Sequence, residues 1–399
     1  MTDLLPFFII FATGVVFTEI SQKLHLPYVT MLIVAGMILG PQGFGIIEAN
    51  DTLNFIGSIG LIFLMFLAGS EIRTESFSNL KHNVGLFIVL NSVLPFLTGF
   101  GISILLGDSL ESATLLGIVF ISSSVSLIIP LLQSSNLIET PMGNLILSGT
   151  VIEDVIGLLL LAIALQQSSS LSSIPLVVFI AIVAIIIFVL RTYIPQIESW
   201  YEEKHVSDDL FESKLRFMLV LLFSTVFIFE LIGLHAITAG FIVGMLLSKS
   251  INKKKMKEKV KTISYGIFVP TFFLLIGTRT DLSVINDTSA IIFIILIIVG
   301  QVASKFVSGF IVGKLLKFSD EQSTFVGLST VPQLSTTLAI AYAAGDLLNP
   351  HYTTGLVLLS VFSALVAPVL LNIVAQSLSR HTKFTRKDGN EQPMVYNQA

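Results

Sequence analysis

The chain has 399 residues, of which 53% are hydrophobic and 12% charged, with a net charge of −4 and no cysteine. Mean hydropathy is +0.90, whereas a soluble domain carries about 25% charged residues, so the polar surface of a water-soluble globule is missing. Disulfides, iron–sulfur clusters, thiolate zinc sites and a cysteine nucleophile are excluded. The histidines (His25, His82, His205, His235, His351, His381) lack HxxxH or HxxEH spacing, and no basic tract with interleaved aromatics points to nucleic acid.

What remains is an all-α polytopic membrane protein. A spanning helix needs roughly 20 mostly apolar residues. By that rule about thirteen spans follow in order, near 4–20, 28–45, 54–70, 84–107, 112–134, 144–167, 174–194, 215–232, 235–250, 262–278, 287–313, 322–345 and 353–378. The first has no Lys or Arg before it and no small-residue cleavage site, so it reads as a retained helix and not a signal peptide. No polar stretch is long enough for a separate soluble domain. Residues 1–380 are expected to form one membrane domain, residues 191–216 a linker loop, and residues 381–399 a polar, disordered tail.

Lys and Arg set the orientation. With the N-terminus outside, Lys23, Arg73, Lys81, Arg191, Lys204, Lys214, Arg216, the run from Lys249 to Lys261, Lys314, Lys317 and the basic tail all fall inside. Of 22 basic residues only Arg279 and Lys305 escape. Outer loops carry Glu48, Asp51, Asp108, Glu111 and Asp346 instead. The lysine run marks topology; a lipid or regulator site is the alternative. Trp200 reads as an interfacial anchor.

Taking span 174–194 as a linker leaves two six-span halves, about 4–167 and 215–378, with opposite orientations. Such inverted repeats are used by many secondary transporters, and paired interrupted spans point to the binding site. Both fifth spans are interrupted here. One holds Ser122, Ser123, Ser124 and Ser126, then Pro130. The other holds Ser329, Thr330, Pro332, Gln333, Ser335, Thr336 and Thr337. Proline removes a donor and breaks the helix, and a cation or water cavity can satisfy the freed carbonyls. The alternative is that Ser and Thr merely allow close packing.

Charges in a membrane core are costly and need a reason. Glu153 and Asp154 lie within GTVIEDVIGLLLLAIA, and their side chains diverge by about 100°. Asp154 can face a cavity while Glu153 faces a partner. Thr150, four residues before Asp154 and on its face, offers a hydroxyl for an oxygen cage around a hard cation. Lys305 is the one unexplained cation; pairing it with Glu153 leaves Asp154 for a mobile ion. A purely structural Glu153–Lys305 pair is the alternative. Glu230 is a further buried acid, structural or functional. Glu19 and Glu71 lie near inner helix ends, and His235 at an outer one.

Several stretches carry a family likeness: LHLPYVTMLIVAGMILGPQGFG, FLMFLAGSEI, FELIGLHAITAGFIVGMLLS and VPTFFLLIGTRTDL. Over about residues 4–378 the chain resembles the monovalent cation:proton antiporter superfamily, in the branch holding Kef-type and bacterial and archaeal Na⁺/H⁺ exchangers. The resemblance implies an NhaA-like fold with a core domain moving against a dimerisation domain, hence a homodimer. Asp154 matches the family's ion-binding aspartate. Glu153 stands where electrogenic relatives often have Asp, and Lys305 matches the core lysine of electrogenic members. SSSVS replaces a Thr/Ser-Asp-Pro or Ser-Pro motif, and VPQLSTT replaces Arg-Gly-Glu, which leaves selectivity open. Absence of the Kef-type nucleotide-binding domain argues against gated potassium efflux.

The expected activity is therefore exchange of Na⁺ (or Li⁺) for protons at Asp154, in a prokaryotic plasma membrane, without a cofactor. Exchange of K⁺, and electroneutral exchange, are the alternatives. A K⁺ channel lacks its TVGYG-type filter. An intramembrane aspartyl enzyme wants carboxylates converging from separate helices, whereas Glu153 and Asp154 diverge.

Overall fold

A chain this apolar must satisfy its own backbone, because lipid offers no hydrogen bonds, and helices do so segment by segment. The computed structural model describes residues 4–24, 26–71, 82–135, 137–167, 175–204, 212–232, 234–248, 254–281, 283–284 and 287–387, and no strand occurs among them. The helices are α1 (Leu4–Leu24), α2 (Tyr28–Leu39), α3 (Asp51–Ser70), α4 (His82–Leu105), α5 (Leu110–Ile121), α6 (Val125–Ser134), α7 (Pro141–Gln167) and α8 (Leu176–Lys204). Next come α9 (Ser213–Leu231), α10 (Ala236–Leu246), α11 (Lys254–Ile263), α12 (Val269–Thr278), α13 (Thr288–Leu315), α14 (Asp320–Thr330), α15 (Ser335–Ala344) and α16 (Pro350–Lys387). A π-helical turn, Ser264–Phe268, joins α11 to α12.

Among the described residues, eight helical stretches are long and apolar enough to cross a membrane, and α2, α5 and α10 are shorter apolar helices. The expected spans near 112–134 and 322–345 are each divided, α5 from α6 by residues 122–124 and α14 from α15 by residues 331–334.

Both divided pairs are entered through the same kind of corner. After α4 the chain turns through Gly107 (φ 86°), and the Asp108 N–H bonds back to Ser103 O at 3.2 Å. After α13 it turns through Lys317 (φ 61°), and the Phe318 N–H bonds back to Gly313 O at 2.9 Å. A left-handed residue at this place lets the last carbonyls of a helix be capped. A serine then caps the helix that follows. Ser109 Oγ accepts from the Ser112 N–H at 3.2 Å. Ser319 Oγ accepts from the Gln322 N–H at 3.2 Å, and Gln322 Oε1 accepts in turn from the Ser319 N–H at 3.1 Å. The polar residues between spans thus stop one helix and start the next.

Small residues let helix backbones approach where lipid supplies no hydrophobic drive. Gly36 of α2 faces Gly277 of α12: a Cβ on Gly36 would lie 2.0 Å from Leu274 O, and one on Gly277 2.1 Å from Ile33 O. α3 is held the same way, by Gly60 against the Phe268 carbonyl and by Gly244 of α10 against the Phe66 carbonyl. In a second group, Gly99 of α4 meets the Leu116 carbonyl of α5, and Gly309 of α13 meets Gly327 of α14.

Two expected boundaries are corrected. The seventh span was expected to end at residue 194, with a loop across 191–216, but α8 runs on to Lys204 through Pro195. The tail was expected to be disordered from 381, but α16 continues to Lys387. Hydropathy marks where a helix stops being apolar, not where its hydrogen bonds stop. The polar continuation of α8 is rich in good helix formers, and past Pro368 the chain meets its next Gly or Pro only at Gly389. Residues 388–399 lie outside the described residues.

Gly277→Leu is expected to destabilise the protein by about 3 kcal/mol or more, because neither facing backbone can give way. Gly85→Ala, whose Cβ would meet nothing within 4 Å, is expected to stay within about 0.5 kcal/mol or to gain slightly. Thermal unfolding of the detergent-solubilised variants distinguishes the two.

Candidate functional site

The two chain breaks meet each other. The Ser124 N–H donates to Pro332 O at 2.6 Å, and the Ser123 hydroxyl donates to Thr330 O at 3.0 Å. The Ser122 and Thr337 hydroxyls share a hydrogen bond of 2.8 Å. Gln333 Nε2 donates to Ser122 O at 3.0 Å, and its Oε1 accepts from Thr337 at 3.1 Å. The backbone carbonyls freed at residues 330–333 therefore have protein donors: Ser123 for Thr330, Gln301 Nε2 (3.3 Å) for Val331, Ser124 for Pro332 and the Ser363 hydroxyl (3.1 Å) for Gln333. In the first break, Lys305 donates to Ile121 O.

α7 runs past this crossing and presents two carboxylates to it. Glu153 is 0% exposed and Asp154 9%. Glu153 accepts from Asn91 Nδ2 at 2.8 and 3.0 Å and from the Ser123 hydroxyl at 3.4 Å. Lys305 Nζ, also fully buried, lies 3.1 Å from Glu153 Oε2. The same ammonium donates to Asn91 O at 3.1 Å. The Ser308 hydroxyl donates to Asn91 Oδ1, which fixes the amide with its NH₂ towards Glu153.

Asp154 is treated differently. Oδ1 accepts one long bond, 3.4 Å, from the Ser123 N–H, and the Thr336 side chain of α15 lies close. Among the described residues no Lys, Arg or His forms an ion pair with it within 4.0 Å. A buried carboxylate without a fixed counter-charge must be neutralised by a proton or a cation. The Thr336 hydroxyl beside it is a neutral oxygen, the kind of ligand a hard cation takes. No group of three His, Asp or Glu side chains gathers among the described residues, so a cation at Asp154 would be held by one carboxylate.

The remaining expected residues fall in several places. Thr150 is buried, but its hydroxyl donates to Ile146 O of its own helix at 2.7 Å. Ser335 opens α15, partly buried. The Ser126 side chain lies outside the described residues. Pro332 sits within its break, whereas Pro130 sits inside α6, exposed and past the break. The first interruption is thus made by the serines, not by the proline. Glu230 is corrected: it occupies the last turn of α9, exposed, and among the described residues no side-chain hydrogen bond or ion pair ties it to the broken helices. The apolar stretch suggested burial, but the helix ends one residue later. Glu71 pairs with Lys257 (3.7 Å) and Lys261 (3.8 Å) at the far end of α3, and His235 caps α10 by accepting from the Ile237 N–H.

Asn91, Ser308, Gln301 and Ser363 were not singled out from the sequence. Asn91 had a usable signal, as the amide in the apolar run GLFIVLNSVLPFL, because polar groups inside a span are costly unless partnered. The others are ordinary Ser and Gln whose partners lie far along the chain.

Residues 8–377 match the family model described as sodium/hydrogen exchanger, transmembrane. The probable Na⁺/H⁺ antiporter 3 of Methanocaldococcus jannaschii is 29% identical over 92% of this chain and 95% of its own length. The Na⁺/H⁺ antiporter of Enterococcus hirae is 27% identical over 89% and 93%. The Na⁺/H⁺-K⁺ antiporter GerN of Bacillus cereus is 27% identical over 88% and 91%. Among solved structures, the sodium proton antiporter MjNhaP1 of M. jannaschii at pH 8 superposes with a TM-score of 0.67 at 16% identity, over 93% of this chain and 97% of that one. That likeness carries the fold.

Removing one partner of a buried ion pair costs about 3–5 kcal/mol, because the other charge is left uncompensated. Lys305→Met alone is expected to lose that much stability, and Glu153→Gln added to it to recover most of the loss. A double-mutant cycle on thermal unfolding checks this; additive losses would mean the two groups are not coupled.

Proposed function

The chain belongs to the sodium/hydrogen exchanger family of integral membrane transporters, which are not enzymes, and on that premise we propose that it exchanges Na⁺ (or Li⁺) for protons at Asp154. One observation carries the reading: of two adjacent buried carboxylates, Glu153 is held by Lys305 and Asn91, while Asp154 meets only the Ser123 N–H, at 3.4 Å, and the neutral Thr336 side chain, and among the described residues has no paired cation within 4.0 Å. A group so placed is open to whichever positive charge arrives, proton or alkali cation. Where protons are scarce the carboxylate takes the cation; where they are abundant a proton displaces it. Movement of the site between the two faces then couples the flows.

The inverted repeat of about 4–167 and 215–378, around a linker helix and with some thirteen spans, is part of this proposal. Its support is the recurrence of one local pattern: a left-handed residue (Gly107, Lys317), a capping serine (Ser109, Ser319) and a divided helix of similar length in each half. The outer N-terminus and cytoplasmic C-terminus rest on the segregation of lysine and arginine. The homodimer rests on the family resemblance. We favour electrogenic exchange, in which the Glu153–Lys305 pair opens and carries a second proton.

K⁺ in place of Na⁺ is the second reading, supported by GerN of Bacillus cereus, a Na⁺/H⁺-K⁺ antiporter that matches this chain over most of both lengths. Proteoliposomes with a trapped proton gradient separate the possibilities, with Na⁺, Li⁺ and K⁺ added in turn, with and without valinomycin. Wild type is expected to respond to Na⁺ and Li⁺, Asp154→Glu to keep part of the response, and Asp154→Asn to lose it by at least about a hundredfold. Full activity in Asp154→Asn would sink the site assignment, and a response to K⁺ alone would select the second reading.

A further inference from the structure

We propose that the open cavity between α3, α9, α10 and α15 is an entry site for a hydrated monovalent cation, with the Glu230 carboxylate as its weak ligand; this rests on the exchange reading above. The cavity measures about 500 Å³, and its polar lining is Ser58, Glu230, His235 and Tyr342. Water takes about 30 Å³ per molecule, so an alkali ion fits there with its hydration shell.

The cavity lies on a seam. Tyr342 belongs to α15, whose first turn carries Thr336 and Thr337 beside the crossing. The facing wall belongs to α3 and α10, which are locked to each other through Gly244. Side-chain contacts close the seam at this level, among them the edge-to-face packing of Phe272 on Tyr342, with ring centroids 5.8 Å apart. The Ser58 and Tyr342 hydroxyls lie 3.3 Å apart, and the Arg279 guanidinium sits 5.1 Å over the Tyr342 ring.

The charge distribution favours a cation. Arg279 spends a donor on Asn54 Oδ1 at 2.8 Å, and it does not line the cavity. His235 turns Nδ1 to the Ile237 N–H. Glu230 is exposed, and among the described residues it forms no ion pair within 4.0 Å. Phe223, Val226, Phe227 and Ile62 make the rest of the wall apolar. A carboxylate on a low-dielectric wall concentrates counter-ions, and the Ser58 and Tyr342 hydroxyls add hard oxygen. The cavity lies at the end of α3 away from Glu71 and its lysines, which by charge segregation is the outer end.

The absence of cysteine makes the test clean, since Ser58→Cys introduces a single thiol. An impermeant maleimide applied to intact cells is expected to label it, and Na⁺ to slow labelling about threefold or more. Combined with Glu230→Gln, the same protection is expected to need roughly threefold to tenfold more Na⁺. In right-side-out vesicles, Glu230→Gln is expected to raise the apparent KM for Na⁺ by the same factor. KM in everted vesicles and Vmax stay unchanged, and Glu230→Asp restores the outer KM. Equal KM shifts at both faces, no shift, labelling from the inner face only, or labelling indifferent to Na⁺ would each overturn the entry site. Wild type without any cation-driven proton movement would instead overturn the exchange reading.

Discussion

The Lys305 ammonium is the group on which the centre of this molecule depends. It is fully buried, and it donates at once to Glu153, to the Asn91 carbonyl on α4 and to the Ile121 carbonyl where α5 stops. A charge with no water must find all its partners in the protein, and these three come from different helices. Lys305 therefore does the work of a cross-link: it closes the end of a broken helix, fixes α4 against α13 and occupies one of two adjacent carboxylates. Because Glu153 is occupied, Asp154 is left over. The division of labour between the two acids follows from one backbone step on α7 and one lysine on α13.

The architecture around that centre separates strong from weak joints. Within the α2, α3, α10 and α12 group, glycine brings backbone against backbone, as at Gly36 and Gly277. Within α4, α5, α13 and α14 the same device recurs at Gly99 and Gly309. Between the first group and α15, side chains do the joining, as with Ser58 and Tyr342 or Arg279 and Tyr342. Backbone contacts cannot be shifted without a clash, whereas side-chain contacts can be exchanged for others. On the proposed reading, movement would follow this seam, with the glycine-packed helices staying rigid beside it.

Much of this was legible in the sequence, for identifiable reasons. Composition declared the membrane, and apolar length located the long helices to within a few residues. The serine and proline clusters flagged both breaks because hydroxyls and missing donors are conspicuous in an apolar run. Glu153, Asp154 and Lys305 stood out because charge there is costly. What was not legible depends on three-dimensional partnership. Asn91 and Ser308 matter through contacts more than 200 residues apart in sequence, with hydrogen-bond partners such as the Asn91–Ser308 pair. Glu230 misled because a hydropathy window cannot see that α9 ends at Leu231. The extensions of α8 and α16 were missed because helix can outlast hydrophobicity.

The self-sufficiency of the second break has a further consequence. The carbonyls of Thr330, Val331, Pro332 and Gln333 already accept bonds from Ser123, Gln301, Ser124 and Ser363. No ring of idle carbonyls waits there to replace an ion's hydration shell as a channel filter does. On the proposed reading, a cation at Asp154 keeps part of its own water, and its dehydration cost is only partly incurred. A site of that kind holds its ion through one carboxylate and shared water, and it lets the ion go quickly.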